Sequence, residues 1–390
     1  MASTRINIVA AGDVLINRAA PESALQRLAP LLRNADLSMC NLEGVLGDGV
    51  EPLPGRGGIA IAPAANASAL AVFDVVSLAN NHSLDAGHAG LFSTLDALND
   101  TGVRSVGAGQ SRREAWAPLV MARRETTIAC IAASAILRVG YDAGVSSPGI
   151  AALRSTDFYA SRFPGAIVPG ALPRIHTEVN DNDWRLLEQA VRDARDQAEW
   201  VVLSLHWGDH TAPFGLTQLE RQTARRLSEL DVDAVVGHHH HALRGIEFIG
   251  RMPVLYGLGH LVFDQPGYAE RFAREQPECV GLSDDALEAR FGRYAHFPRN
   301  SGFLFDETSR WTAVAHLSLS REEGASVSLV PLRLGAQASP EMIARGSESW
   351  RDFLSFIAQC QHVVGPVTRI EDRGIEIDGL AVLSVVCDAD

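Results

Sequence analysis

A chain of 390 residues, 46% hydrophobic and 21% charged, can build a full-sized core and has little of the composition of disorder. Its formal charge of −13 argues against a nucleic-acid backbone as a main partner. All 34 basic residues are Arg, which excludes an internal pyridoxal-phosphate Schiff base and a Walker-type lysine.

Residues 6–11 read as a buried strand that ends in Gly12-Asp13. No earlier segment has the pattern of a signal peptide, and no run of about 18 apolar residues follows. The expectation is a cytoplasmic protein with no membrane partner. Residues 20–32 have amphipathic helical spacing. Residues 35–44 form a second strand that closes on Asn41-Leu-Glu43. A Gly/Pro-rich loop over 44–63 leads to a third strand, 73–79, which ends in Asn80-Asn81-His82-Ser-Leu-Asp85. Helix is expected over 89–101 and strand over 103–106 and 127–133. Residues 136–183 are loop-rich and read as an insertion over a site. Residues 182–197 have the pattern of a charged amphipathic helix.

The segment 201–264 is the most informative. It alternates apolar runs with histidines: His206, His210, His238 to His241, and His260, within a chain of 13 His. Helix is expected over 216–230. The histidines follow strand ends, where open α/β sheets place their sites. A polar stretch, 266–300, contains His296 and reads as a second lid. Residues 312–319 and 325–330 alternate as an antiparallel pair. Residues 340–361 read as helix, and 374–386 as a returning strand. Five scattered cysteines form no paired motif. The whole is expected to be one domain, 1–390, with insertions near 136–183 and 266–300. Its class is α/β, with layered mixed β-sheets flanked by helices and inserted lid loops.

Each strand end carries a candidate ligand: Asp13, Glu43, Asn81, His206 and the His239/His241 pair. Turn or capping chemistry explains any one of them alone. Several on one sheet edge point to a metal site. Imidazole with carboxylate favours manganese, iron, zinc or nickel on ligand type.

Six ordered motifs then carry a resemblance. Gly12-Asp13-Val-Leu, Asn41-Leu-Glu43-Gly, Ala79-Asn-Asn81-His82-Ser-Leu-Asp85, Ser204-Leu-His206-Trp-Gly, Gly237-His-His239-His-His241 and Leu258-Gly-His260 together resemble the CapA family of poly-γ-glutamate capsule synthesis. That family is similar to the calcineurin-like metallophosphoesterases. The resemblance covers residues 5–265 and implies a calcineurin-like metallophosphatase fold. It implies Asp13, Glu43, Asn81, His239 and His241 as metal ligands, with His206 matching a further ligand and His82 the neighbouring catalytic His.

The chain departs from the family pattern at several points. Leu15 stands where the related phosphoesterases have His. His210, His240 and His260 replace the family's Glu, Pro and Asn. Capsule-type members tend to carry an N-terminal membrane anchor, which has no counterpart here. An anchor-free branch of CapA-like proteins, the lasso-peptide epimerases, is similar in length, composition and its crowd of His and Asp. That resemblance implies a peptide epimerase, inverting the α-carbon of the C-terminal residue, expected to be Trp, of a ribosomal precursor. It implies calcium as the metal, against the manganese or zinc that ligand type favours.

Such chemistry removes a weakly acidic α-proton and returns one to the other face. It needs a cation beside the carboxylate and two acid/base groups. His82, Asp85, His206, His260 and His296 are the candidates, with His210, Asp209 and Asp264 available nearby. Arg56, Arg138 and Arg299 are candidates to hold a carboxylate. The alternatives are a CapA-like metallophosphoesterase, a capsule-biosynthesis protein, or a binding module without turnover.

Overall fold

The structure, a computed structural model, describes residues 5–54, 60–166, 168–212, 214–335, 338–365 and 367–387. Strand β1 (Ile6–Leu15) is buried along almost all its length. Ile6, Ile8 and Ala10 face one core while Val9, Ala11 and Val14 face another. A strand apolar on both sides must lie between two packed layers, which is why this run reads as continuously hydrophobic. On one side β1 pairs in parallel with β2 (Leu37–Leu42), which pairs with β3 (Val75–Ser77) and then β4 (Arg104–Val106).

The chain next builds a second sheet. Strand β5 (Leu119–Arg123) pairs antiparallel with β6 (Thr126–Ser134). An exposed ribbon follows, β7 (Ser155–Ala160) against β8 (Arg174–Val179). Strands β9 (Trp200–His206) and β10 (Ala234–His238) then extend the sheet in parallel from β6. Strands β11 (Ile246–Ile249) and β12 (Met252–Leu255) finish its six strands.

Strand β13 (His260–Phe263) returns to the first sheet and pairs with the far half of β1. Strands β14 (Trp311–Ser320), β15 (Gly324–Leu334), β16 (Thr368–Glu371) and β17 (Leu383–Cys387) add antiparallel partners to this ten-stranded sheet. The long β14–β15 pair follows the alternation of its sequence.

Three apolar clusters make the layering explicit. One lies between the sheets and joins Ile8, Met39 and Leu317 to Ile128, Val202 and Val236. A second lies outside the first sheet, under helices α1 (Ala29–Asn34) and α2 (Gly87–Thr101). The third lies outside the second sheet, under α3 (Asp181–Arg195) and α4 (Gln218–Ser228). The chain thus has the layered, mixed α/β architecture that the resemblance implies. Two small helices, α5 (Tyr268–Glu275) and α6 (Asp284–Phe291), close over a minor core of Cys279, Leu287 and Phe297. Helix α7 (Glu348–Val364) seals the inter-sheet core with Trp350, Phe353 and Phe356.

Three expectations need correction. The helix expected over 20–32 is two pieces, a 3₁₀ turn at Pro21–Ala24 and then α1. Pro30 is the reason: inside a helix over 20–32 it would lack an amide and clash with the preceding turn, whereas in the first turn of α1 its missing amide costs nothing. The helix expected over 340–361 begins late. Pro340–Met342 is a strand, Gly346 turns the chain at φ 78°, and Ser347 caps α7. The stretch 136–183, expected to be loop, carries the largely exposed ribbon β7–β8, and its Tyr141 hydroxyl reaches Asp85.

Candidate metal centre

The centre forms where β1 changes partner. Up to Ala10 one edge of β1 is bonded to β14; from Asp13 it is bonded to β13, with a register shift at Asp13/Val14. Gly12 makes this possible. A Cβ there would lie 1.9 Å from the carbonyl oxygen of Gly259, so only glycine lets the two backbones pass. The irregularity turns the Asp13 carboxylate into the space at the strand ends.

Asp13 is buried and surrounded. Asn41 Nδ2 donates to its Oδ1 at 2.9 Å, and the His239 amide donates to Oδ2 at 3.3 Å. His238 Nδ1 and His241 Nδ1 lie 3.4 and 3.5 Å from its two oxygens. Burial works to raise its pKa, but the contacts with His238, Asn41 and His260 outweigh it and hold Asp13 below the usual carboxylate range.

Glu43, one residue past β2, has the opposite environment. It is fully buried, and neither carboxylate oxygen has a hydrogen-bond partner. Burial and the neighbouring Asp13 charge push its pKa well above normal. His206 Nε2 lies 3.4 Å from Oε1 and His241 Nδ1 lies 3.8 Å from Oε2. Two donor groups result: Glu43 with His206 and His239, and Asp13 with Glu43 and His241, each with ligand atoms within 4.8 Å of one another. Glu43 belongs to both.

The residues present therefore fit a divalent cation. A buried carboxylate without a partner is strongly unfavourable unless a positive charge answers it. Nδ1 of His239, Nδ1 of His241 and both nitrogens of His260 are also buried without partners. Burial, reinforced by neighbouring imidazoles, holds His206, His239, His241 and His296 well below the usual His range, so they are neutral and ready to ligate. His239 and His241 sit at φ 90° and 53°, a conformation rare for a side-chain-bearing residue and often found at functional sites. Asn81 Oδ1 lies 2.7 Å from His206 Nε2 and faces the same centre.

A second set of imidazoles adjoins this one. His82 Nδ1 lies 2.7 Å from Asp85 Oδ2, which leaves Nε2 as the ring nitrogen open to a ligand. Asp85 is itself fixed by the Ala60 amide at 2.9 Å and the Tyr141 hydroxyl at 3.3 Å. His210, in the loop after β9, contacts His239, His241 and His296 at ring separations of 5.1, 6.3 and 5.0 Å. His260 stacks on His241 at 4.7 Å and meets Phe305 at 4.2 Å. Burial pushes His260 down to about 4. His296 comes from the 266–300 segment and packs against Phe305 at 4.3 Å.

The structure thus brings together Asp13, Glu43, Asn81, His82, Asp85, His206, His239, His241, His260 and His296. His206, a candidate acid/base group, stands among the metal donors. Asp264 and Asp209 pair with no histidine. Asp264 binds Arg18 (Nε to Oδ2, 2.7 Å), and Asp209 accepts from Thr211. Arg299 spends its guanidinium on carbonyls of its own segment, and Arg56 lies outside the described residues.

Three features of the site, the bracing by Asn80, the partner of His240 and the place of Arg244, were not read from sequence. Asn80 braces Asn41 and the carbonyl of Leu42. His240 turns away from the centre and contacts Glu220 on α4 (Nε2 to Oε1, 2.9 Å). Gly208 admits this, since a Cβ there would lie 2.0 Å from His240 Nε2. Arg244 lines the histidine cavity. The Gly at 208 and the acid one helical turn into α4 were readable signals for the His240 pair; nothing local marked Arg244.

The chain is similar to several known proteins. Residues 7–265 match the family described as "Bacterial capsule synthesis protein PGA_cap". The PGA biosynthesis protein CapA of Bacillus subtilis is 30% identical over 50% of this chain and 43% of its own length. The protein y4uA of Sinorhizobium fredii is 27% identical over 94% of this chain and 91% of its own. Among solved structures, the calcineurin-like phosphoesterase YfkN of Bacillus subtilis aligns over 93% of this chain and 99% of its own, at 10% identity and a TM-score of 0.39.

Proposed function

The chain belongs to the bacterial capsule synthesis protein family, and on that footing we propose that it is a metal-dependent peptide epimerase. It would invert the α-carbon of the C-terminal residue, Trp being the expected one, of a ribosomal lasso-peptide precursor. One observation carries this reading. Imidazoles from separate elements, His82 after β3, His210 after β9 and His296 from the 266–300 segment, gather beside one metal-competent donor cluster.

A divalent ion held by Asp13, Glu43, His206, His239 and His241 would supply positive charge next to the substrate carboxylate and so acidify the α-C–H. Its three imidazole donors favour manganese, iron or zinc over calcium on ligand chemistry. The chain's own groups do the rest. His82 takes or returns a proton at Nε2, with Asp85 fixing the tautomer and stabilising the imidazolium. His296 or His210 serves the other proton transfer. Phe263 and Phe305 close the apolar side of the site and limit water around these groups.

A second reading, a metal-dependent phosphoesterase or capsule-type enzyme, is favoured by the sharing of Glu43 between two donor triads. Two-ion hydrolases use such a layout. The name of the Bacillus subtilis relative points the same way.

Chiral analysis separates the two readings. A precursor peptide ending in L-Trp, and its D-Trp counterpart, are incubated with metal-loaded protein and hydrolysed. Convergence on one D/L ratio from both sides is expected. Asp85→Asn should slow it by about 10²–10⁴-fold with metal content unchanged. No inversion from either side, with phosphate released from a model ester, would favour the second reading.

A further inference from the structure

The turn that carries His239 and His241 is strained at both of these donors. Their φ angles, 90° and 53°, are ones a side chain disfavours, and such a backbone persists only where its surroundings hold it. On the side of the centre the hold is slight. The His239 amide reaches Asp13 Oδ2 at 3.3 Å, and Asp13 is itself a donor to the cation. The residue between the two donors points the other way. His240 is 2% exposed, belongs to neither donor group, and brings its Nε2 to 2.9 Å from Glu220 Oε1.

Two glycines make the slot in which this ring lies. A Cβ on Gly208 would sit 2.0 Å from His240 Nε2, and one on Gly257 would sit 2.8 Å from Nδ1. The far end of the contact is equally fixed. Glu220 is fully buried, and its Oε2 accepts from the Thr217 amide at 2.6 Å and the Thr217 hydroxyl at 2.8 Å, in the box that caps α4. Both carboxylate oxygens therefore accept, and the hydrogen of the His240 contact sits on Nε2. Nδ1, buried without a partner, is then the ring nitrogen without a hydrogen.

We propose that His240 and Glu220 form a strut that sets the aim of the two imidazole donors on either side of it. His240 is a positioning residue: it touches no ion, and it ties the turn between His239 and His241 to the capped start of α4. Held at its middle, the turn cannot relax its two positive φ angles. The donor atom of His239 then stays with Glu43 and His206, and that of His241 with Asp13 and Glu43. The strut serves the centre whichever reaction the centre performs. Groups that stand behind metal ligands in this way contribute about 10–100-fold to metal affinity.

Cobalt(II) titrated into metal-free protein tests this, because its visible absorption reads affinity and coordination geometry together. His240→Asn and His240→Gln both carry a neutral amide, but only the longer Gln brings an N–H to the place of Nε2. His240→Asn is expected to bind cobalt about 10–100-fold more weakly than wild type, with shifted bands. His240→Gln is expected to stay within about 3-fold of wild type and to keep its spectrum. Thermal melts of the metal-free variants establish that each is folded at the titration temperature. A pair that served only the core would lower the melting temperature and leave affinity and spectrum alone. Should His240→Asn fail to fold, His240→Leu, which fills the slot without an N–H, carries the same expectation. Wild-type affinity and spectrum in the folded Asn or Leu variant would overturn the proposal. So would a His240→Gln variant that binds cobalt as weakly as His240→Asn.

Discussion

At the scale of single residues the site is a set of costs that a ligand relieves. Glu43 is the clearest case, a buried carboxylate with no hydrogen bond and with Asp13 beside it. Its pKa is raised on folding, so its contribution to stability is present below the ordinary carboxylate range and lost as pH rises. At neutral pH it therefore opposes folding until a cation arrives. Glu43→Gln removes the charge and keeps the shape. The prediction is that this variant binds no stoichiometric metal, yet its metal-free form melts no lower than metal-free wild type. Elemental analysis and thermal melts check both halves. A metal-free variant that melts more than about 5 °C lower would show that Glu43 is instead a structural group. Asp13 and Glu43 were legible in sequence, because acids directly after apolar runs have few other reasons to recur on one sheet edge. Arg244 was not, because three residues past a histidine run it looks like any surface arginine; its burial comes from the 266–300 segment and α7, distant in sequence.

At the scale of elements, the β1 edge is what places the acid. Two partners, β14 and β13, share one side of β1, and the change-over needs the backbones at Gly12 and Gly259 to touch. Gly12→Ala is predicted to destabilise the fold by about 3 kcal/mol or more, since the clash is with backbone that cannot rotate away. Denaturant unfolding measures this; a loss under about 1 kcal/mol would mean that the crossing is not tight. The apolar runs at 6–11 and 201–205 announced doubly covered strands because both faces of each meet a core. The early helix was misread because the spacing of apolar residues over 20–32 says nothing of the amide that Pro30 lacks. The ribbon β7–β8 was invisible as structure, since its residues pack on little and carry no burial pattern.

At the scale of the whole molecule, two sheets deliver their strand ends to one place, and that place is rich in histidines kept neutral by burial. His206, His210, His239, His241, His260 and His296 all have folded pKa values below the ordinary one. Such groups contribute stability that is present above about pH 6.5 and lost as pH falls through the folded values, about 4 for His260. The metal-free protein should accordingly lose melting temperature steadily between about pH 6.5 and pH 4, and a flat profile there would contradict the buried, neutral cluster. Among the described residues no helix is long and apolar enough to cross a membrane. The most direct test of the account is proton exchange at the substrate. Purified protein is incubated in deuterium oxide with a precursor peptide ending in Trp, with and without chelator, and the peptide is sequenced by mass spectrometry. One deuteron gained at the C-terminal α-carbon, lost on chelation and restored by manganese or zinc, is the predicted result. No α-deuterium with any metal supplied would contradict it.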